Sequence, residues 1–102
     1  MSSDLNDRLA ALKKAYAASF PAKRAEIDAA LQLAGTDAGV AQLRHLAHKL
    51  AGSGASYGFA ELSSLSRRLE SAAISRQGGN ADADLEGAAR ALLKALEAEA
   101  DA

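Results

Sequence analysis

The chain holds two histidines, His45 and His48, and no cysteine. An imidazole can act as a nucleophile, move protons or bind a metal. His45 and His48 are three residues apart, a spacing that lets two rings share an ion on a helix. A zinc site needs three or four ligands, and no further histidine is present to complete one. Carboxylates could serve, but the sequence points to none, so no metal site is expected and His45 reads as a solvated neighbour. The lack of cysteine removes disulfides, thiolate metal sites and thiol catalysis. Ser53 and Ser56 form no recognisable triad with a histidine and a carboxylate. The run Ala51-Gly52-Ser53-Gly54-Ala55-Ser56-Tyr57-Gly58 has the glycines of a phosphate loop. It neither follows a strand nor ends in Gly-Lys-Ser/Thr, so a nucleotide site is not expected. The chemistry that remains is that of one side chain, His48.

Its position follows from the helix that must carry it. Residues three, four and seven apart share a helix face, because each residue advances about 100°. Leu43, Leu46, Ala47, Leu50, Gly54 and Tyr57 fall on one side, as a core stripe does. His48 points nearly the other way, among Ala41, Arg44, His45, Ala51, Gly52 and Ala55. An outward face ordinarily carries long solvated side chains. Here an alanine and a glycine follow within a turn, and Gly52 costs about 1 kcal/mol of helix stability relative to alanine. A glycine kept at that cost suits close approach of something else to the surface. The alternative is that His48 faces a neighbouring helix and the small residues let the two pack closely.

The other segments supply the frame. Asp4 to Ser19 reads as a helix with Leu5, Leu9, Leu12 and Tyr16 on one face, capped by Ser2, Ser3 or Asp4. Phe20-Pro21 interrupts it, and Pro21 suits the first turn of a second helix running to Ala34, unless the two form one kinked helix. This second helix buries Ile27, Ala30, Leu31 and Ala34. Gly35 to Gly39 is a turn in which Gly35 ends one helix and Thr36 or Asp37 caps the next. The central helix spans Val40 to Tyr57, and Gly58 occupies the place of a left-handed C-cap glycine. Phe59 to Arg76 is a long helix burying Phe59, Leu62, Leu65, Leu69, Ala72 and Ala73. Gln77-Gly78-Gly79-Asn80 is a break. Asn80 or Asp82 caps a last helix that aligns Leu85, Ala89, Leu92 and Leu96 and frays at its end. Short loops between long amphipathic helices predict an all-α, antiparallel up-and-down four-helix bundle with an additional short or kinked N-terminal helix. Residues 1–102 read as one domain.

Composition bounds the function. With 102 residues and a net charge of −1, the chain offers no basic footprint for nucleic acid or an anionic membrane. Its pI is near 6.1. The start of the chain lacks the charged and apolar regions of a signal peptide, and no stretch is long and apolar enough for a membrane span. A soluble cytoplasmic protein, with no marked dimer seam and therefore monomeric, is the expectation.

The segment Ala47-His48-Lys49-Leu50-Ala51-Gly52-Ser53, followed by Tyr57-Gly58-Phe59, Leu62, Leu65 and Leu69-Glu70, resembles the histidine-containing phosphotransfer (Hpt) domains. The shared features are a His-x-Leu-x-Gly-Ser core, a glycine at the helix junction and a closing Leu-Glu pair. The resemblance implies a phosphocarrier of a two-component phosphorelay. His48 would take a phosphoryl group from a receiver-domain aspartyl phosphate, or from a hybrid histidine kinase, and pass it to another receiver. Gly52 would clear room for the partner and Leu50 would anchor the helix. The protein would need no cofactor of its own, the receiver bringing Mg²⁺. The contact set on this face would be Arg44, His45, Lys49, Ala51, Gly52 and Ala55, extended by Arg67 or Arg68. One departure stands out: the family usually carries lysine three residues after the histidine, and here that position is Ala51. Arg44, one turn before His48, could supply the charge. A helical adaptor that binds receivers without carrying phosphate is the competing expectation.

Overall fold

In the computed structural model, which describes residues 2–100, the chain is helical throughout its elements. Five helices follow one another: α1 (Ser2–Ala17), α2 (Phe20–Gln32), α3 (Asp37–Ser56), α4 (Ala60–Gln77) and α5 (Leu85–Ala100). Helices α2 to α5 close a ring in which α2 packs on α3, α3 on α4, α4 on α5 and α5 back on α2. Loops of a few residues leave each helix to return along its predecessor, the up-and-down order of a bundle. The break between α1 and α2 is slight. Ser19 keeps right-handed helical dihedrals, and only Ala18 and Ser19 separate the two. Pro21 cannot donate to the Ala17 carbonyl, so the ladder fails there while the chain keeps its course. The molecule is accordingly long, with extents of 53 × 20 × 17 Å.

The core is made by the residues whose spacing marks them. Ile27, Ala30 and Ala34 from α2 and its end, Leu43, Leu46, Ala47 and Leu50 from α3, Leu62, Leu69 and Ala73 from α4, and Leu85, Ala89, Leu92 and Leu96 from α5 are buried together, with Phe20 and Phe59 closing one end. Leu31, Leu65 and Ala72 are only partly covered. Tyr57 leaves the stripe assigned to it: it is 38% exposed and lies flat on Tyr16 at 4.4 Å. The N-terminal stripe departs further. Tyr16 packs on the core, whereas Leu5, Leu9 and Leu12 stand in solvent.

The helix ends are set by local chemistry. Thr36 caps α3 by accepting a hydrogen bond from the Gly39 amide. A side chain at Gly39 would run into the Leu33 carbonyl, which explains a glycine in the first turn. Helix α2 stops at Gln32, before the glycine expected to end it. At the far end of α3, Gly58 has φ +82°. Its amide bonds to Ala55 O at 3.2 Å and the Phe59 amide to Gly54 O at 2.8 Å, a Schellman closure. Gly79 repeats this after α4 with φ +99°. The cap of α5 is Asp84, which accepts from the Gly87 amide, and not Asn80 or Asp82; Asn80 instead closes a local turn onto the Asp82 amide. The side chains of Ser2 and Ser3 and the terminal Asp101-Ala102, invoked for capping and fraying, lie outside the described residues.

Candidate functional site

The site is built on the seam between α3 and α4. Leu43, Leu46, Ala47 and Leu50 hold α3 in the core, so His48, about 100° on from Ala47, is turned outward. Its side chain is 74% exposed. Helix α4 lies beside it in the opposite direction, and a heptad of polar side chains crosses the seam. Ser63 Oγ donates to the Ala51 carbonyl at 2.8 Å. Glu70 Oε2 lies 2.7 Å from His48 Nδ1. Arg44 Nη1 donates to Gln77 Oε1 at 2.7 Å. Rising numbers on α4 meet falling numbers on α3, as antiparallel helices require. Fully buried Ser63 and Ser66 let α4 come close, since each small hydroxyl is satisfied by a carbonyl, of Ala51 and of Leu62.

Glu70 fixes the chemistry of the ring. A carboxylate accepts hydrogen bonds and has no hydrogen to give, so Nδ1 carries the ring hydrogen. The lone pair of the neutral imidazole then sits on Nε2, on the side away from Glu70. Glu70 itself is held by its neighbour Leu69, which is fully buried, and its own side chain is 23% exposed. In the motif Glu70 is only the end of a Leu-Glu pair. The signal for its role was its place seven residues after Ser63 and one after a core leucine, on the helix that turns back along α3.

The residues expected around His48 separate into several groups. Ala41, Arg44, His45, His48, Glu70 and Gln77 line one open cleft of about 400 Å³. Gly52 and Ala55 are exposed one and two turns beyond the ring. Apart from the backbone of its own helix, nothing lies within 4 Å of where a Gly52 side chain would begin, so no packing within the chain requires a glycine there. Lys49 faces the other flank of α3, in a groove of about 410 Å³ with Tyr16, Lys23, Ile27, Ser53 and Tyr57. Ala51 does not belong to the open face at all: it is 6% exposed, covered by α4 where Ser63 bonds to its carbonyl. It lies on His48's side of α3 by angle, but that side is the one on which α4 packs. Arg68 also points elsewhere, to Asp84 at 3.5 Å, while exposed Arg67 lies one turn before Glu70. Among the described residues, no three His, Cys, Asp or Glu side chains gather where they could hold a metal ion.

An exposed imidazole, oriented through Nδ1 and free at Nε2 on a helical bundle, is an arrangement for carrying a group on nitrogen. The family model described as Hpt domain matches residues 3–102. The chain belongs to the Hpt domain family. Hpt domains are phosphocarriers of phosphorelays rather than enzymes, and they interact with receiver domains and kinases. No curated protein and no solved structure matches the chain significantly. No helix is long and apolar enough to cross a membrane among the described residues.

Proposed function

We propose that the chain acts as one Hpt unit in which His48 is the phosphoacceptor, exchanging a phosphoryl group with receiver-domain aspartates. The observation that carries this reading is the His48 ring, 74% exposed and tied through Nδ1 to Glu70 at 2.7 Å. In the forward step the Nε2 lone pair attacks phosphorus in line with the aspartyl oxygen. The N–P bond forms, the P–O bond breaks, and the aspartate leaves with the electron pair. The ring becomes cationic and keeps its hydrogen on Nδ1, where the Glu70 carboxylate offsets the new charge. The reverse step returns the group to a second receiver. Among the described residues no cluster of carboxylates gathers beside His48, and in this reading the receiver brings the Mg²⁺ that neutralises the phosphoryl oxygens. Gly52 and Ala55 leave the approach to Nε2 uncrowded. Arg44, which lines the same cleft as His48 and Glu70, is the cation of α3 that could turn from Gln77 toward the phosphoryl oxygens.

The test is to mix the protein with a phosphorylated receiver domain and Mg²⁺ and follow acid-labile label. Label on the wild type and none on His48→Gln is the expected result; label retained by His48→Gln overturns the assignment. A second reading has its own observation: Ala51, where the family carries lysine, is sealed under α4 and offers the phosphoryl group nothing. Under that reading the chain is an adaptor. Wild type that no donor phosphorylates, with receiver binding unchanged in His48→Ala, would establish it.

A further inference from the structure

Among the described residues, three hydrogen bonds made by side chains cross the seam between α3 and α4, and they differ in kind. Arg44–Gln77 and His48–Glu70 join exposed side chains at their tips. Long side chains follow small movements of their helices by changing rotamer. Ser63 has no such reach. Its Oγ stands one bond beyond Cβ, is buried, and ends on backbone, the Ala51 carbonyl at 2.8 Å. A directional bond from so short a side chain to a carbonyl fixes where one helix backbone lies against the other.

The seam is built around that contact. Turning from His48 toward the core, α3 presents Ala51, Ala47 and Gly54 before Leu50. A side chain begun at Gly54 would lie 3.5 Å from the Ser63 nitrogen and 3.6 Å from the Phe59 oxygen, so the two backbones meet at this crossing. Small residues bring helices together but present shallow ridges and grooves, which resist sliding and rotation weakly. The bond from Ser63 supplies the missing restraint.

The crossing also sets the place of Glu70. Seven residues on from Ser63 along α4 is Glu70, and seven back from Gly54 along α3 is Ala47. Each step is about 10.5 Å, so antiparallel packing brings Glu70 level with Ala47, beside His48. Ser63 and Glu70 lie about 20° apart around α4. A rotation that carries one away from α3 carries the other with it.

We propose that Ser63 is a positioning residue for phosphotransfer: its bond to the Ala51 carbonyl holds α4 at the register and rotation in which Glu70 meets Nδ1 of His48. The proposal rests on His48 as the phosphoacceptor. Ser66 supplies the contrast. It is also fully buried, but its Oγ donates within its own helix, to the Leu62 carbonyl at 2.6 Å, and holds no register.

The test compares Ser63→Ala with Ser66→Ala. Each loses one buried bond from hydroxyl to carbonyl, so a general loss of stability touches both alike. Nitrogen-15 shifts of the His48 ring, read without phosphate, move in Ser63→Ala toward those of Glu70→Ala and keep their wild-type values in Ser66→Ala. Acceptance of acid-labile label from a phosphorylated receiver slows about two- to threefold in Ser63→Ala, part of the loss from removing the carboxylate itself. In a Glu70→Ala background, Ser63→Ala slows acceptance no further, because it acts through that carboxylate. Ser63→Cys, a weaker donor of similar shape, moves the ring shifts the same way by less, and carries the test if Ser63→Ala lacks wild-type helicity by circular dichroism. Wild-type ring shifts in Ser63→Ala and Ser63→Cys overturn the proposal, as does an equal effect of Ser66→Ala or an equal slowing with Glu70 absent. A wild type that no receiver phosphorylates overturns the phosphoacceptor reading instead, and the ring shifts still decide whether Ser63 positions Glu70.

Discussion

Removing Glu70 tests the site most directly. The His48–Glu70 contact is a charge-assisted hydrogen bond of 2.7 Å, a kind that contributes ~1.5–3 kcal/mol. Solvent reduces this, because His48 is 74% exposed and exposed ion pairs are worth only ~0–1 kcal/mol. The half-sheltered Glu70 carboxylate places the pair near the boundary, at about 1 kcal/mol. That value applies to the cationic ring formed on transfer, and at 1.36 kcal/mol per tenfold it is about a fivefold slower acceptance. Glu70→Ala should therefore accept phosphate from a receiver about fivefold more slowly. Glu70→Gln, which keeps an accepting oxygen and loses the charge, should fall between it and wild type. Rapid-quench measurement of acid-labile label gives the rates. Nitrogen-15 shifts of the His48 ring give the tautomer, with the hydrogen on Nδ1 in wild type and redistributed in Glu70→Ala. If Glu70→Ala accepts phosphate at the wild-type rate and keeps the same tautomer, the carboxylate neither orients the ring nor stabilises its charge, and the reasoning fails.

Three further outcomes follow from the same geometry. Gly52→Ala should raise stability by about 1 kcal/mol, read as an upward shift of the melting temperature, and should slow transfer with receivers; a variant that does neither removes the reason given for the glycine. Ala51→Lys, introducing the residue usual in the family, should lower stability by about 1–3 kcal/mol in urea unfolding, because its stem must escape from beneath α4; an unchanged urea midpoint would mean that the stem reaches the surface beside His48. Burial raises the Tyr16 hydroxyl above its ordinary value of 10.0, so the folded state favours the neutral phenol. The stability this adds is complete below about pH 10 and is lost as pH rises above it, and Tyr16→Phe should flatten that alkaline decline in urea midpoints measured across the range.

Much of this protein is local physics and is therefore readable along the chain. Proline at position 21 ends one backbone ladder and suits the start of the next, glycines at 58 and 79 take left-handed turns, and Thr36 accepts from an amide three residues on. Apolar spacing then names Leu43, Leu50, Leu69 and Leu92 as core, because a helix repeats its faces within a turn whatever surrounds it. The outward direction of His48 follows from the same rule. What periodicity lacks is the azimuth at which a neighbour arrives. His48 and Ala51 are only about 60° apart around α3, and the approach of α4 through Ser63 leaves one in water and seals the other. The partnership of His48 with Glu70 has the same origin, since 22 residues of chain separate them and only antiparallel packing makes them neighbours. The leucines of α1 show the converse. Their spacing marks a face to be buried, but the bundle closes without them, because α2 to α5 already satisfy one another around the ring. An amphipathic pattern states that a face seeks a partner; the tertiary structure decides whether the chain itself provides one.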